Sequence, residues 1–159
     1  MTSNNVLRKL HGIYGWSDDE WLAIFAHAGL TVTSEQVQSW LKEDDEEGFA
    51  RCRDVELATF LNGWIIEKRG KKDGPQPVPE QRLSNNIILK KLKIALDLKN
   101  DDMLYIFEWA GVELGGRELG PYFRKPGNKH YRPCPDEVLE QFFVGLLKKQ
   151  EFEGAEDGE

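Results

Sequence analysis

Trp21-Leu-Ala-Ile-Phe-Ala-His-Ala28 and Met103-Leu-Tyr-Ile-Phe-Glu-Trp-Ala110 stand 82 residues apart, and together they decide the fold. In each, apolar residues fall at i, i+3, i+4 and i+7: Trp21, Ile24, Phe25 and Ala28, then Met103, Ile106, Phe107 and Ala110. That spacing lays four side chains along one stripe of an α-helix, whereas a half-buried strand needs strict alternation. The same step of 82 aligns residues 4–67 with 86–149 without a gap. Cys52 returns as Cys134, Asp54 as Asp136, Phe60 as Phe142 and Gly63 as Gly145. Where identity is lost the apolar character persists, with Trp40 facing Tyr122 and Trp64 facing Leu146. Self-similarity at a fixed step is the mark of one structural unit used twice.

Working outward, a second stripe runs through Leu57, Phe60, Leu61, Trp64 and Ile65, and is copied by Leu139, Phe142, Phe143, Leu146 and Leu147. Ser17 with Glu20, and Thr33 with Gln36, carry the spacing of capping boxes at helix starts. Gly29 and Gly111 stand where a helix end needs a left-handed residue. Each unit reads as four helices, near 4–14, 18–28, 34–42 and 54–68, then again 82 residues later. Gly120-Pro121 interrupts the third helix of the second unit and leaves its length open. Gly63 and Gly145 lie inside the fourth helix, where glycine costs about 1 kcal/mol relative to alanine. Their presence predicts a second helix backbone passing close by. The expected fold is all-α: two tandem copies of a four-helix unit, each with a helix-turn-helix-like pair, packed through their last helices.

The boundaries follow from the punctuation. Unit 1 spans 1–70 and unit 2 spans 85–150. Between them, 71–84 is a linker in which Pro75, Pro77 and Pro79 forbid helix. Residues 151–159 form an acidic tail, expected to fray.

With 40% hydrophobic and 31% charged residues, the 159-residue chain has the composition of a folded, water-soluble protein. Its net charge of -7 argues against indiscriminate binding to nucleic acid or anionic lipid. No apolar run is long enough for a signal peptide or a membrane span, which makes cytoplasm the expected location and a membrane role unexpected. Cys52 and Cys134 are then expected as reduced thiols.

Three phrases resemble a known family. Asn4-Asn-Val-Leu-Arg-Lys-Leu10, with its echo Asn85-Asn-Ile-Ile-Leu-Lys-Lys-Leu92, opens each unit. Phe60-Leu-Asn-Gly-Trp-Ile-Ile-Glu-Lys-Arg-Gly70 and Phe123-Arg-Lys-Pro-Gly-Asn-Lys-His-Tyr-Arg132 complete the set. Together they resemble the YehS family, bacterial proteins of tandem-duplicated domains of unknown function. The resemblance implies a duplicated helical fold and a cytoplasmic bacterial setting. It brings no catalytic residue, cofactor or substrate.

The candidate binding features lie where the two units differ. The third helix of unit 1 runs into Glu43-Asp-Asp-Glu-Glu47, five carboxylates that would repel phosphate, so DNA reading by that unit is not expected. At the same place unit 2 carries Arg124, Lys125, Lys129, His130 and Arg132, with Lys125 opposite Glu43 and Lys129 opposite Glu47. This basic loop either grips nucleic acid or a phosphate ligand, or is a solvated loop whose Tyr131 plugs the core. A third reading takes the sign reversal as a device that steers one unit toward another, within or between chains.

Tyr105 and Trp109 form the other candidate, an i, i+4 aromatic pair on the face opposite Met103 and Phe107; their counterparts are Ala23 and His27. A helix apolar on two faces buries both or offers one to a partner. Cys52, Cys134, His11, His27 and His130 do not have the spacing of a zinc site. No nucleotide-loop, metalloprotease or hydrolase signature occurs, so no cofactor, metal or catalytic residue is assigned. The reading is a non-catalytic binding or interaction module, engaging a protein partner or a second copy, with nucleic-acid or phosphate binding by the basic loop as the alternative.

Overall fold

A computed structural model describes residues 1–157, and among them every regular element is a helix. The chain divides into two compact units: Met1–Leu83 with Ile94–Leu96, and Ser84–Lys93 with the chain from Asp97 onward.

Unit 1 holds α1 (Ser3–Tyr14), α2 (Asp18–His27), α3 (Ser34–Leu41) and α4 (Asp54–Arg69). At the start of α2 the Ser17 hydroxyl accepts from the Glu20 N–H and the Glu20 carboxylate accepts from the Ser17 N–H. Thr33 caps α3 with its hydroxyl, which accepts from the Gln36 N–H. α2 packs on α4 and on α3, while α1 packs on α3 and α4. The apolar stripes read from the sequence meet there: Trp21, Ile24, Phe25, Leu57, Phe60, Leu61 and Trp64 are all buried. Rings dominate this core. Trp16 meets Trp21 edge-on at 5.0 Å and Trp64 at 5.2 Å, and Trp21 lies 4.8 Å from Phe60, within the range where aromatic pairs attract beyond their buried area. His11 is part of it, its Nδ1 accepting from Trp21 Nε1 at 3.4 Å.

Unit 2 repeats the plan with α5 (Asn85–Ala95), α6 (Asn100–Trp109), α7 (Gly116–Leu119), a 3-10 turn over Gly120–Phe123, and α8 (Asp136–Asp157). α6 packs on α8 as α2 does on α4. Met103, Ile106, Phe107, Leu139, Phe142, Phe143 and Leu146 form its core. The third helix is where the copies part. The Gly120-Pro121 interruption reduces eight α-helical residues in unit 1 to four in unit 2, followed by the 3-10 turn. Proline lacks the N–H that an α-helix would use there, and the two glycines at 115 and 116 weaken the start. As a result Tyr122 is half-buried where Trp40 is buried.

Gly63 and Gly145 do mark close approach of a second backbone, and its source is inside each unit. A Cβ on Gly63 would collide with the carbonyl oxygen of Ile24 in α2, and one on Gly145 with that of Ile106 in α6. The helix stops are as expected, with Gly29 at φ 83° and Gly111 at φ 76°.

The segment 70–84 has no helix or strand. Residues 151–157 of the tail, expected to fray, are helical and extend α8, while 158–159 lie outside the described residues. Unit 1 stops at Gly70, φ 83°; at the position 82 residues on, unit 2 has Phe152 and the helix continues.

Candidate functional site

Both loops that the sequence singled out hang from the same clamp. Asn4, 2% exposed at the start of α1, donates through Nδ2 to the carbonyls of Trp40 and Ala50, and its Oδ1 accepts from the Cys52 N–H. Asn86 does the same 82 residues later, donating to Tyr122 and Arg132 and accepting from Cys134. One buried amide thus satisfies two carbonyls and an N–H that would otherwise be stranded. The turns inside the loops also correspond bond for bond. Glu46, Phe49 and Ala50 N–H groups donate to Glu43, Glu46 and Ser39, as Asn128, Tyr131 and Arg132 donate to Lys125, Asn128 and Pro121. The backbone is a common mount; the side chains differ.

On unit 1 that mount carries five carboxylates, two of which, Glu43 and Asp44, are paired with Arg8. Arg8 donates through Nη1 to the Lys42 carbonyl at 2.7 Å, and its guanidinium lies 3.4 Å from Asp44 and 3.8 Å from Glu43. Lys42 Nζ donates to the Glu47 carbonyl. On unit 2, Arg124, Lys125, Lys129, His130 and Arg132 are all brought onto one loop and all exposed. Among the described residues none of these side chains makes a hydrogen bond or ion pair. The register of Arg8 is occupied by Lys90, another exposed cation. Tyr131 and its counterpart Phe49 are half-buried, and Phe123 is half-buried under Lys93, whose Nζ sits 4.5 Å from the ring centroid.

The aromatic candidate stands apart from the loop. Tyr105 and Trp109 lie on α6, with centroids 6.2 Å apart, and Phe152 of α8 joins them 5.0 Å from Trp109. Phe152 is sixteen residues beyond the start of α8, about 24 Å along a helix rising 1.5 Å per residue, while the basic loop feeds that start. Tyr105 is 49% exposed and Phe152 48% exposed, with Trp109 half-buried between them. The Trp109 Nε1 is enclosed with no acceptor among the described residues. Sequence reading found Tyr105 and Trp109 but missed Phe152, because the tail was expected to fray. It also missed the Asn4 and Asn86 clamp, although both asparagines sit at the step of 82.

Cys52 and Cys134 are buried free thiols at equivalent positions before α4 and α8. Burial, with the Glu56 and Asp54 carboxylates adding, pushes the Cys52 thiol up to about 12. Burial, helped by Asp136, pushes Cys134 up to about 11. At neutral pH both are protonated and poor nucleophiles. Among the described residues, no group of three His, Cys, Asp or Glu side chains is placed to hold a metal ion. No described helix is long and apolar enough to cross a membrane.

No solved structure matches the chain. Among curated proteins, the uncharacterized protein YehS of Escherichia coli (strain K12) is 42% identical over 151 residues, covering 94% of this chain and 97% of that one. The family model described as a protein of unknown function (DUF1456) matches twice, over residues 3–70 and 85–151. The family's domain thus occurs twice in tandem, and the chain belongs to the DUF1456 family.

Proposed function

We propose that the chain is a non-catalytic interaction module that holds a protein partner on the Tyr105–Trp109–Phe152 face of its second unit. One observation carries the reading: half-buried Trp109 meets the exposed rings of Tyr105 and Phe152 on a helix pair whose counterpart has Ala23, His27 and Gly70. The scaffold does not need those rings, since unit 1 packs the same helix pair without them. Exposing them raises the free energy of the lone molecule, and a partner that covers them recovers it. Tyrosine and tryptophan are the side chains most often found where interfaces concentrate their binding energy. The two buried thiols are protonated at neutral pH and offer no ready nucleophile.

Immobilised protein exposed to cell extract tests this. Tyr105→Ala and Phe152→Ala alter exposed side chains, so the fold is expected to survive, as circular dichroism verifies. A protein captured by the unsubstituted chain is expected to fall at least about thirtyfold with either variant, as for a hot-spot contact of about 2 kcal/mol. Equal capture by all three proteins removes the patch from the account.

A further inference from the structure

We propose that the basic loop of unit 2, through Arg124, Lys125, Lys129, His130 and Arg132, docks on the acidic loop Glu43–Glu47 of a second copy of this chain. The inference is independent of the aromatic patch. It begins from the contrast between two loops built on one hydrogen-bonding pattern. Where the fold carries charge for its own sake, it supplies the opposite sign: Arg8 reaches across to Glu43, Asp44 and the Lys42 carbonyl. Unit 2 does the reverse. In the register of Arg8 it places Lys90, which adds to the like charge instead of relieving it. Four exposed cations, with His130 among them, stand on a loop whose backbone is clamped by Asn86, with no ion pair among the described residues. Repulsion among them is relieved only from outside.

The occupant follows from what else the chain carries. Residues 1–70 hold seven Lys and Arg against twelve Asp and Glu, while 85–150 hold eleven against nine, so the two copies of the unit have opposite net sign. Lys125 and Lys129 stand in the register of Glu43 and Glu47, so the two loops present opposite charges on like backbones. Such complementarity steers encounter and fixes orientation. A nucleic acid fits less well. It meets a net negative chain, and Tyr131 and Phe123 beside the loop are half-buried, with Lys93 over the Phe123 ring, which leaves less aromatic surface for a base to stack on.

Sedimentation velocity across a salt series tests the pairing. The unsubstituted protein is expected to self-associate at about 50 mM salt and to weaken at least tenfold by about 500 mM, as the screening length falls roughly threefold. Arg124→Glu, Lys125→Glu and Lys129→Glu together leave both loops net acidic, and Glu43→Lys, Glu46→Lys and Glu47→Lys together leave both net basic. Each variant alone is expected to be monomeric, and an equimolar mixture of the two is expected to associate. Should a reversal fail to fold, Lys125→Gln with Lys129→Gln gives the same loss with less perturbation. A monomer at low salt, association unchanged by salt, variants that associate like the parent, or a mixture that stays monomeric each overturn the proposal. So does binding of a labelled single-stranded RNA that the Gln variant abolishes in a parent protein that stays monomeric, since the loop is then a nucleic-acid site.

Discussion

The first unit closes around indoles and the second around smaller chains. Trp21 and Trp64 are matched by Met103 and Leu146, all four buried, yet α2 lies on α4 as α6 lies on α8. Core positions such as Phe25/Phe107 and Phe60/Phe142 are kept identical, and so are residues whose partner is backbone: Gly63 and Gly145 beneath a carbonyl, Asn4 and Asn86 between two carbonyls and an N–H. Elsewhere contacts between side chains are re-formed with different volumes, because a core accepts another hydrophobic set if its total filling is kept. A contact to backbone has no such freedom. The comparison therefore separates the scaffold from what is mounted on it.

The largest expected effects challenge the claim that the scaffold is shared. Gly63→Ala and Gly145→Ala each drive a Cβ into a carbonyl oxygen that cannot swing away, and each is expected to destabilise its unit by about 3 kcal/mol or more. Helix propensity alone would stabilise both by about 1 kcal/mol. Urea titrations decide between these signs, and opposite signs at the two sites would break the equivalence. Asn4→Ala and Asn86→Ala come next. Each strands three backbone groups, at a cost of about 2–4 kcal/mol, measured in the same titrations.

A smaller effect follows from the thiols. Each is held neutral in the fold while the unfolded chain ionises near 9, so the folded state binds the extra proton at high pH. The thiol contribution to stability is complete below pH 9 and is lost as pH rises, toward about 11 for Cys134 and about 12 for Cys52. Cys52→Ala should flatten the alkaline fall of the urea midpoint more than Cys134→Ala does. An unchanged slope in both variants counts against buried, protonated thiols. The smallest effect sharpens the charge contrast. Arg8→Ala removes a part-buried guanidinium from its carbonyl and two carboxylates and is expected to cost about 1 kcal/mol. Lys90→Ala is expected to be neutral within about 0.5 kcal/mol, or slightly stabilising.

Much of the scaffold was legible because helices announce themselves by period. The stripes through Trp21 and Leu57, the Ser17 cap and the stops at Gly29 and Gly111 are local signals, and the second copy supplies an independent reading of each. The close approach at Gly63 was legible too, since glycine within an apolar stripe has few other causes. Which helix approaches was not, because that is a fact of packing. The Asn4 clamp escaped for the same reason: its partners are backbone groups 36 to 48 residues away, and no side-chain pattern reports them. Phe152 was hidden by composition. An acidic, glycine-containing tail reads as disordered, but its one ring meets Trp109 in the last turns of α8. The basic loop was plain in the sequence; that its cations have no ion pair among the described residues is a fact of the folded structure.

One scaffold is used twice, and the proposed binding belongs to the face that carries Tyr105, Trp109 and Phe152 in the second copy. Hydrogen–deuterium exchange of the protein with and without its captured partner tests this most directly. Protection is expected in residues 101–109 and 148–155, with no change in 19–27 and 66–70 of the first unit. Protection centred on the first unit, or absent from both, contradicts it.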